Sequence, residues 1–201
     1  MAVAEDLVEC AVADATLAGE LESGDLHVVA PHPGGVLVAA IDGLGHGGEA
    51  ANAARTARAA LEEDPGAELP ELFLRAHGRL ARSRGVVMSV AAFEPGGKLT
   101  WLGVGNVEGT LVRAAREGAL RRADSILLLG GVVGYQLPKL RPSTMEVARG
   151  DTLILATDGV GGGYIGDLDP AAAPVTLADR ILAEYCTGGD DALVLVARYA
   201  G

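Results

Sequence analysis

Three short apolar runs, each abutting an aspartate, constrain this chain more than any other feature. Val36–Ile41 (VLVAAI) runs into Asp42-Gly43, Thr152–Thr157 (TLILAT) runs into Asp158-Gly159, and Ala192–Ala197 (ALVLVA) follows Asp190-Asp191. Continuous apolar runs of this length read as strands buried on both faces. Two of them end in Asp and one begins with it. If the third runs antiparallel to the other two, all three carboxylates collect at one rim of a sheet. Carboxylates on a low-dielectric rim repel one another and raise their own pKa values. A hard divalent cation, Mg²⁺ or Mn²⁺, prefers oxygen ligands and removes that cost. The glycines after Asp42 and Asp158 would let a backbone carbonyl or a water shell approach such an ion. Asp-Gly after a strand is also an ordinary turn signal, and a single such dipeptide is more often a turn than a site.

The remaining pattern supplies the layers around these strands. Leu7–Leu17 and Asp25–Ala30 read as strands, with Pro31–Gly35 a turn between the second and Val36. Ala50, Ala53, Ala54, Ala57, Ala60 and Leu61 recur at helical spacing up to Pro65-Gly66, and Leu69, Leu72, Phe73, Ala76 and Leu80 mark a second helix over Pro70–Arg82. Val86–Phe93 and Leu99–Val104 flank the hairpin signal Glu94-Pro95-Gly96-Gly97. Strands are expected at Val107–Arg113, Ser125–Leu129 and Thr144–Val147, and a last helix at Leu177–Tyr185. Many strands with one helix pair and one later helix indicate an α+β layered fold with mostly antiparallel sheets, built as one domain over residues 1–201.

Charge and cysteine usage narrow the function classes. The net charge of −11 disfavours nucleic acid and anionic membranes as partners. Met1–Leu7 contains Glu5 and Asp6, unlike a signal peptide, and no apolar run reaches the ~18 residues of a membrane span. Cys10 and Cys186 lack CxxC spacing, which argues against a thiolate zinc site, suits a reducing compartment and reads as two small buried residues. A cytoplasmic protein is the expectation.

Five stretches, taken together, resemble the metal-dependent protein phosphatases of type 2C (the PPM family), and within it the short bacterial SpoIIE/RsbX-like branch. They are Ser23-Gly24-Asp25, Ala40–Gly47 (AIDGLGHG), Val104-Gly105-Asn106-Val107, Ala156–Val160 (ATDGV) and Gly189–Val194 (GDDALV), which stand in the family's order and span nearly the whole chain. The resemblance implies a four-layer αββα sandwich, two mostly antiparallel central sheets flanked by helices, with two divalent cations (Mn²⁺ or Mg²⁺) between the sheets. Carried over by position, it implies that Asp42 bridges both ions and that the Gly43 carbonyl binds the second. Asp158 and Asp190 would hold the first, and Asp25 would contact the second. Asp191 would support the loop. A metal-activated water would hydrolyse phosphoserine or phosphothreonine, with Asp42 and Asp158 central to catalysis. The implied partners are phosphorylated STAS-domain proteins, either a stressosome-like scaffold or an anti-anti-sigma factor, and a monomer is expected. The chain lacks a clear counterpart of the phosphate-binding arginine of the larger relatives. A catalytically silent phosphoprotein-binding module and a hydrolase of small phosphoesters are the competing readings.

Other residues carry weaker signals. His46, in the glycine loop beside Asp42, is a candidate acid for the leaving alkoxide or a supporting neighbour of the cluster, though a loop position without an essential role weighs more. His27, His32 and His77 share no ligand spacing. Arg75, Arg79 and Arg82 line one helix face, where a solvated surface outweighs a docking site.

Overall fold

The computed structural model describes residues 7–114, 123–169 and 171–201, so that Glu5 and Asp6 lie outside the described residues. The elements in chain order are β1 (Val8–Ala15), β2 (Asp25–His32), β3 (Gly35–Gly43), α1 (Gly48–Glu62), α2 (Leu69–Leu80), β4 (Val86–Glu94), β5 (Lys98–Val104), β6 (Glu108–Val112), β7 (Ala123–Ser125), β8 (Leu128–Leu129), β9 (Ser143–Glu146), β10 (Thr152–Ala156), α3 (Pro174–Tyr185) and β11 (Ala192–Tyr199). A 3₁₀ turn at Tyr164–Asp167 precedes α3. One sheet has the order β1-β11-β10-β6-β7 and the other β2-β3-β4-β5-β8, with β9 also paired to β5. Among the described strands, β5 and β8 form the parallel pair and every other pairing is antiparallel.

Side-chain alternation sorts the core into three interfaces. Val36, Val38 and Ala40 of β3 face Leu153, Leu155, Leu193 and Leu195 of the other sheet. Leu37, Ala39 and Ile41 face the other way, against Ala53, Ala57, Leu61, Leu72 and Phe73 of α1 and α2. Ile154, Val194 and Val196 pack under Leu177, Ala178 and Ile181 of α3. The layers are therefore α1/α2, sheet, sheet, α3, as the αββα resemblance implied. The expected inward residues of α1 and α2 are all buried. Alanine dominates the α1 face, so this helix lies close to its sheet; that closeness matters at the site.

Several expected boundaries shift. The Pro31–Gly35 turn shrinks to Pro33-Gly34, because Pro31 and His32 still pair with Val36 and Gly35. Ser125–Leu129 is not one strand: β7 pairs with β6 in the first sheet and β8 with β5 in the second. The chain changes sheets at Ile126-Leu127, burying the former and exposing the latter. Helix α3 begins a turn earlier than the periodicity suggested, at Pro174, whose fixed φ and missing N–H suit a first turn. The cysteines are not both buried, since Cys10 is half-buried and Cys186 exposed. The arginine face of α2 is not purely solvated: Arg75 donates to Ala60 O at 3.2 Å and Arg79 pairs with Glu63, which ties α2 to the end of α1.

Candidate metal centre

The aspartate-bearing strands do not share one sheet. Strand β3, which ends in Asp42-Gly43, belongs to one sheet, while β10 and β11 belong to the other. The expected single-sheet rim is instead a junction between two stacked sheets, and this adds a carboxylate. Strand β2 pairs antiparallel with β3 so that Asp25 stands directly opposite Asp42. Such cross-strand neighbours have Cβ atoms about 5 Å apart. By alternation Asp42 follows Val36, Val38 and Ala40 onto the face between the sheets.

Burial makes this pair costly to ionise. Asp25 is 5% exposed. Its carboxyl is pushed up to about 8, mainly by desolvation and further by the charges of Asp42, Asp191 and Asp158, against the lowering effect of a Thr157 hydrogen bond. Asp42 is pushed up to about 7 by desolvation and by Asp158, Asp190 and Asp191.

The hydrogen bonds divide the aspartates by how many carboxylate oxygens remain unused. Asp191 has none to spare: Oδ1 accepts from the backbone N–H of Leu17 at 2.8 Å and Oδ2 from that of Gly24 at 2.7 Å. It is 3% exposed and joins the start of β11 to the β1–β2 loop. Asp25 Oδ2 accepts from the Thr157 hydroxyl at 2.6 Å, a bond between the two sheets. The same hydroxyl oxygen accepts from the Leu193 N–H at 2.8 Å. Asp158 Oδ2 accepts from Asn106 Nδ2 at 2.7 Å, and Asp190 Oδ1 from the Asp191 N–H at 2.8 Å. Among the described residues, then, Asp25, Asp158 and Asp190 each keep one oxygen without a protein partner, and Asp42 keeps both.

Hard oxygen donors, mutually repelling and partly desolvated, are the chemistry a divalent cation satisfies, so the residues fit such an ion. Among the described residues, no three acidic, imidazole or thiol side chains are already drawn together at ion-binding separation. The structure accounts for the glycines differently from the sequence reading. A Cβ on Gly43 would lie 2.2 Å from Ala50 O of α1, and one on Gly159 would lie 2.0 Å from Asp191 O. Backbone packing against the close-lying helix and the neighbouring strand, rather than room for an ion, requires glycine there.

His46 is exposed, with Nδ1 2.6 Å from Glu20 Oε1 in the β1–β2 loop. Thr157 and Asn106 stand inside the ATDGV and VGNV stretches, but sequence reasoning assigned neither a task. A threonine buried immediately before Asp158 was the available signal, and its partners lie 132 and 36 residues away.

Comparison with known proteins places the family and the fold. Residues 32–200 match the family described as Stage II sporulation protein E (SpoIIE). No curated protein matches the sequence. Among solved structures, a chain from "The bacterial stressosome: a modular system that has been adapted to control secondary messenger signaling" is 28% identical. It superposes with a TM-score of 0.86 over 95% of this chain and 99% of that one. RsbX in complex with magnesium is 19% identical, with a TM-score of 0.85 over 96% of each chain. The catalytic domain of the serine/threonine phosphatase PstP, in complex with two manganese ions, is 18% identical, with a TM-score of 0.75 over 97% of this chain and 99% of that one. With the fold shared by RsbX and the PstP catalytic domain, the chain belongs to the family described as Stage II sporulation protein E (SpoIIE).

Proposed function

We propose that this protein hydrolyses phosphoserine and phosphothreonine on regulatory proteins, with two divalent cations, Mn²⁺ or Mg²⁺, held by Asp25, Asp42, Asp158, Asp190 and the Gly43 carbonyl. The observation that carries this reading is the distribution of unused oxygens. Asp42, the expected bridge, has two, and the other three expected ligands have one each. Asp191, the expected support, has none. When bound, the ions would supply an activated water and offset charge on the phosphoryl oxygens. The protein's own part is positional. Asn106 orients Asp158, Thr157 orients Asp25, and Asp191 locks together the two loops that present Asp25 and Asp190. No Ser or Cys nucleophile is called for.

The proposed substrates are phosphorylated STAS-domain proteins of bacterial stress signalling, as the family resemblance implies; likeness to a chain of the bacterial stressosome supports a place in such signalling. The test is phosphate release from a phosphoserine peptide and from p-nitrophenyl phosphate, with Mn²⁺, Mg²⁺ or EDTA, for wild type and Asp158→Asn. Metal-dependent turnover lost in the variant supports the reading. No turnover with any ion, from protein shown to be folded, would make the chain a phosphoprotein-binding module instead.

A further inference from the structure

We infer that a groove beside the carboxylate junction, between α1 and the stretch joining α2 to β4, docks an acidic segment of the phosphoprotein substrate; this rests on the phosphatase reading above. The groove has a volume of about 370 Å³ and is lined by Glu49, Asn52 and Thr56 of α1 and by Arg82 and Arg84 of the connecting stretch.

Two arginines side by side are conspicuous on a chain of net charge −11. Arg82 is exposed and makes no ion pair or hydrogen bond with any described residue. Arg84 places Nε 2.6 Å from Glu49 Oε2, but both side chains are more than half exposed, so the pair is weak and open to exchange for another carboxylate. Asn52 and Thr56 add polar groups to the same wall. No large apolar side chain lines the groove, which suits a charged extended segment better than an amphipathic helix.

The fold sets this groove next to the proposed reaction site. Strands β3 and β4 pair Gly43 with Val86, and the Leu44 N–H continues the contact by donating to Gly85 O at 3.2 Å. One step further out, the Arg84 guanidinium lies over Gly45: a Cβ there would be 2.7 Å from Arg84 Nη1. On the opposite wall, α1 abuts Gly43 through Ala50, the residue following Glu49. Both walls thus touch the segment that follows Asp42, α1 at Gly43 and the Arg84 stretch at Leu44 and Gly45. Residues flanking a phosphoserine held at the carboxylates would reach the groove within a few extended positions, at about 3.3 Å per residue. The arrangement also addresses a general difficulty, because a strongly acidic enzyme repels acidic phosphoproteins unless a local positive patch steers them.

The test uses phosphoserine peptides with Asp/Glu-rich and with Ser/Ala-rich flanks, together with p-nitrophenyl phosphate, on wild type, Arg82→Glu/Arg84→Glu and Glu49→Gln. The double reversal should raise KM for the acidic peptide roughly tenfold, the effect of losing two exposed ion pairs. It should leave kcat, the neutral peptide and p-nitrophenyl phosphate unchanged. Glu49→Gln, which frees Arg84, should lower KM for the acidic peptide alone. Equal shifts on both peptides, or none, overturn the inference. Fluorescence anisotropy of the labelled acidic peptide, at 20 and 300 mM NaCl, is independent of turnover. Salt-sensitive binding that the double reversal abolishes supports the groove even if p-nitrophenyl phosphate is not hydrolysed, in which case the hydrolytic reading fails and the docking surface stands. Binding equal in wild type and variant overturns the groove whatever the enzyme does.

Discussion

Asp25→Asn separates the electrostatic account of the site from a purely structural one. In the metal-free protein the Asp25 carboxyl is raised from 3.8 to about 8. The folded state therefore holds this proton more tightly than the unfolded chain does. The stability this contributes is complete below the unfolded value near 4 and is lost as pH rises through the folded value near 8. Each unit of that window is worth about 1.4 kcal/mol, so wild type should lose up to about 4 kcal/mol through this residue between pH 5 and pH 8. Asparagine cannot titrate, and its amide oxygen can still accept the Thr157 hydroxyl, so the bond between the sheets survives. Urea denaturation in EDTA should find the variant more stable than wild type at pH 8 by up to this amount, and the two converging toward pH 4. Saturating Mn²⁺ should reverse the order at pH 8. A ligand at a hundredfold its Kd adds about 2.7 kcal/mol to the protein that binds it, and the variant has lost a ligand oxygen. Parallel stability–pH curves for wild type and variant in EDTA would refute the assignment of Asp25 as a desolvated member of a carboxylate cluster.

Two further outcomes follow from the same geometry. Asp191→Ala leaves the buried N–H of Gly24 and that of Leu17 without acceptors, and should cost about 2–4 kcal/mol in urea denaturation with an unchanged slope. Gly43→Ala and Gly159→Ala force a methyl to within 2.2 Å and 2.0 Å of backbone oxygens and should each lower stability by ~2 kcal/mol or more, whereas Gly162→Ala, with nothing within 4 Å, should melt like wild type.

What could be read without the fold was whatever depends on neighbours in sequence. The Val36–Ile41, Thr152–Thr157 and Ala192–Ala197 runs became central strands because an unbroken apolar run is stable only when both faces are covered. The inward faces of α1 and α2 followed from 3.6-residue periodicity, and every expected residue is buried, with Ala51 of α1 buried in addition. The five motif stretches carried the family, and with it the expectation that Asp25, Asp42, Asp158 and Asp190 hold the ions.

The tertiary structure decided everything that depends on which strand lies beside which. Alternation cannot say that β3 joins one sheet and β10 with β11 the other, so the carboxylates meet at a junction of sheets rather than along one rim. Nor can it split Ser125–Leu129 between two sheets. Asp190 and Asp191 are adjacent and chemically identical in sequence. They differ because the N–H groups of Leu17 and Gly24, 174 and 167 residues away, use both oxygens of Asp191 and leave Asp190 one to offer. The glycines beside the aspartates were legible as necessary, but their reason was not. An alanine-faced helix and a neighbouring strand press on their backbones, and that contact exists only once distant parts of the chain have packed.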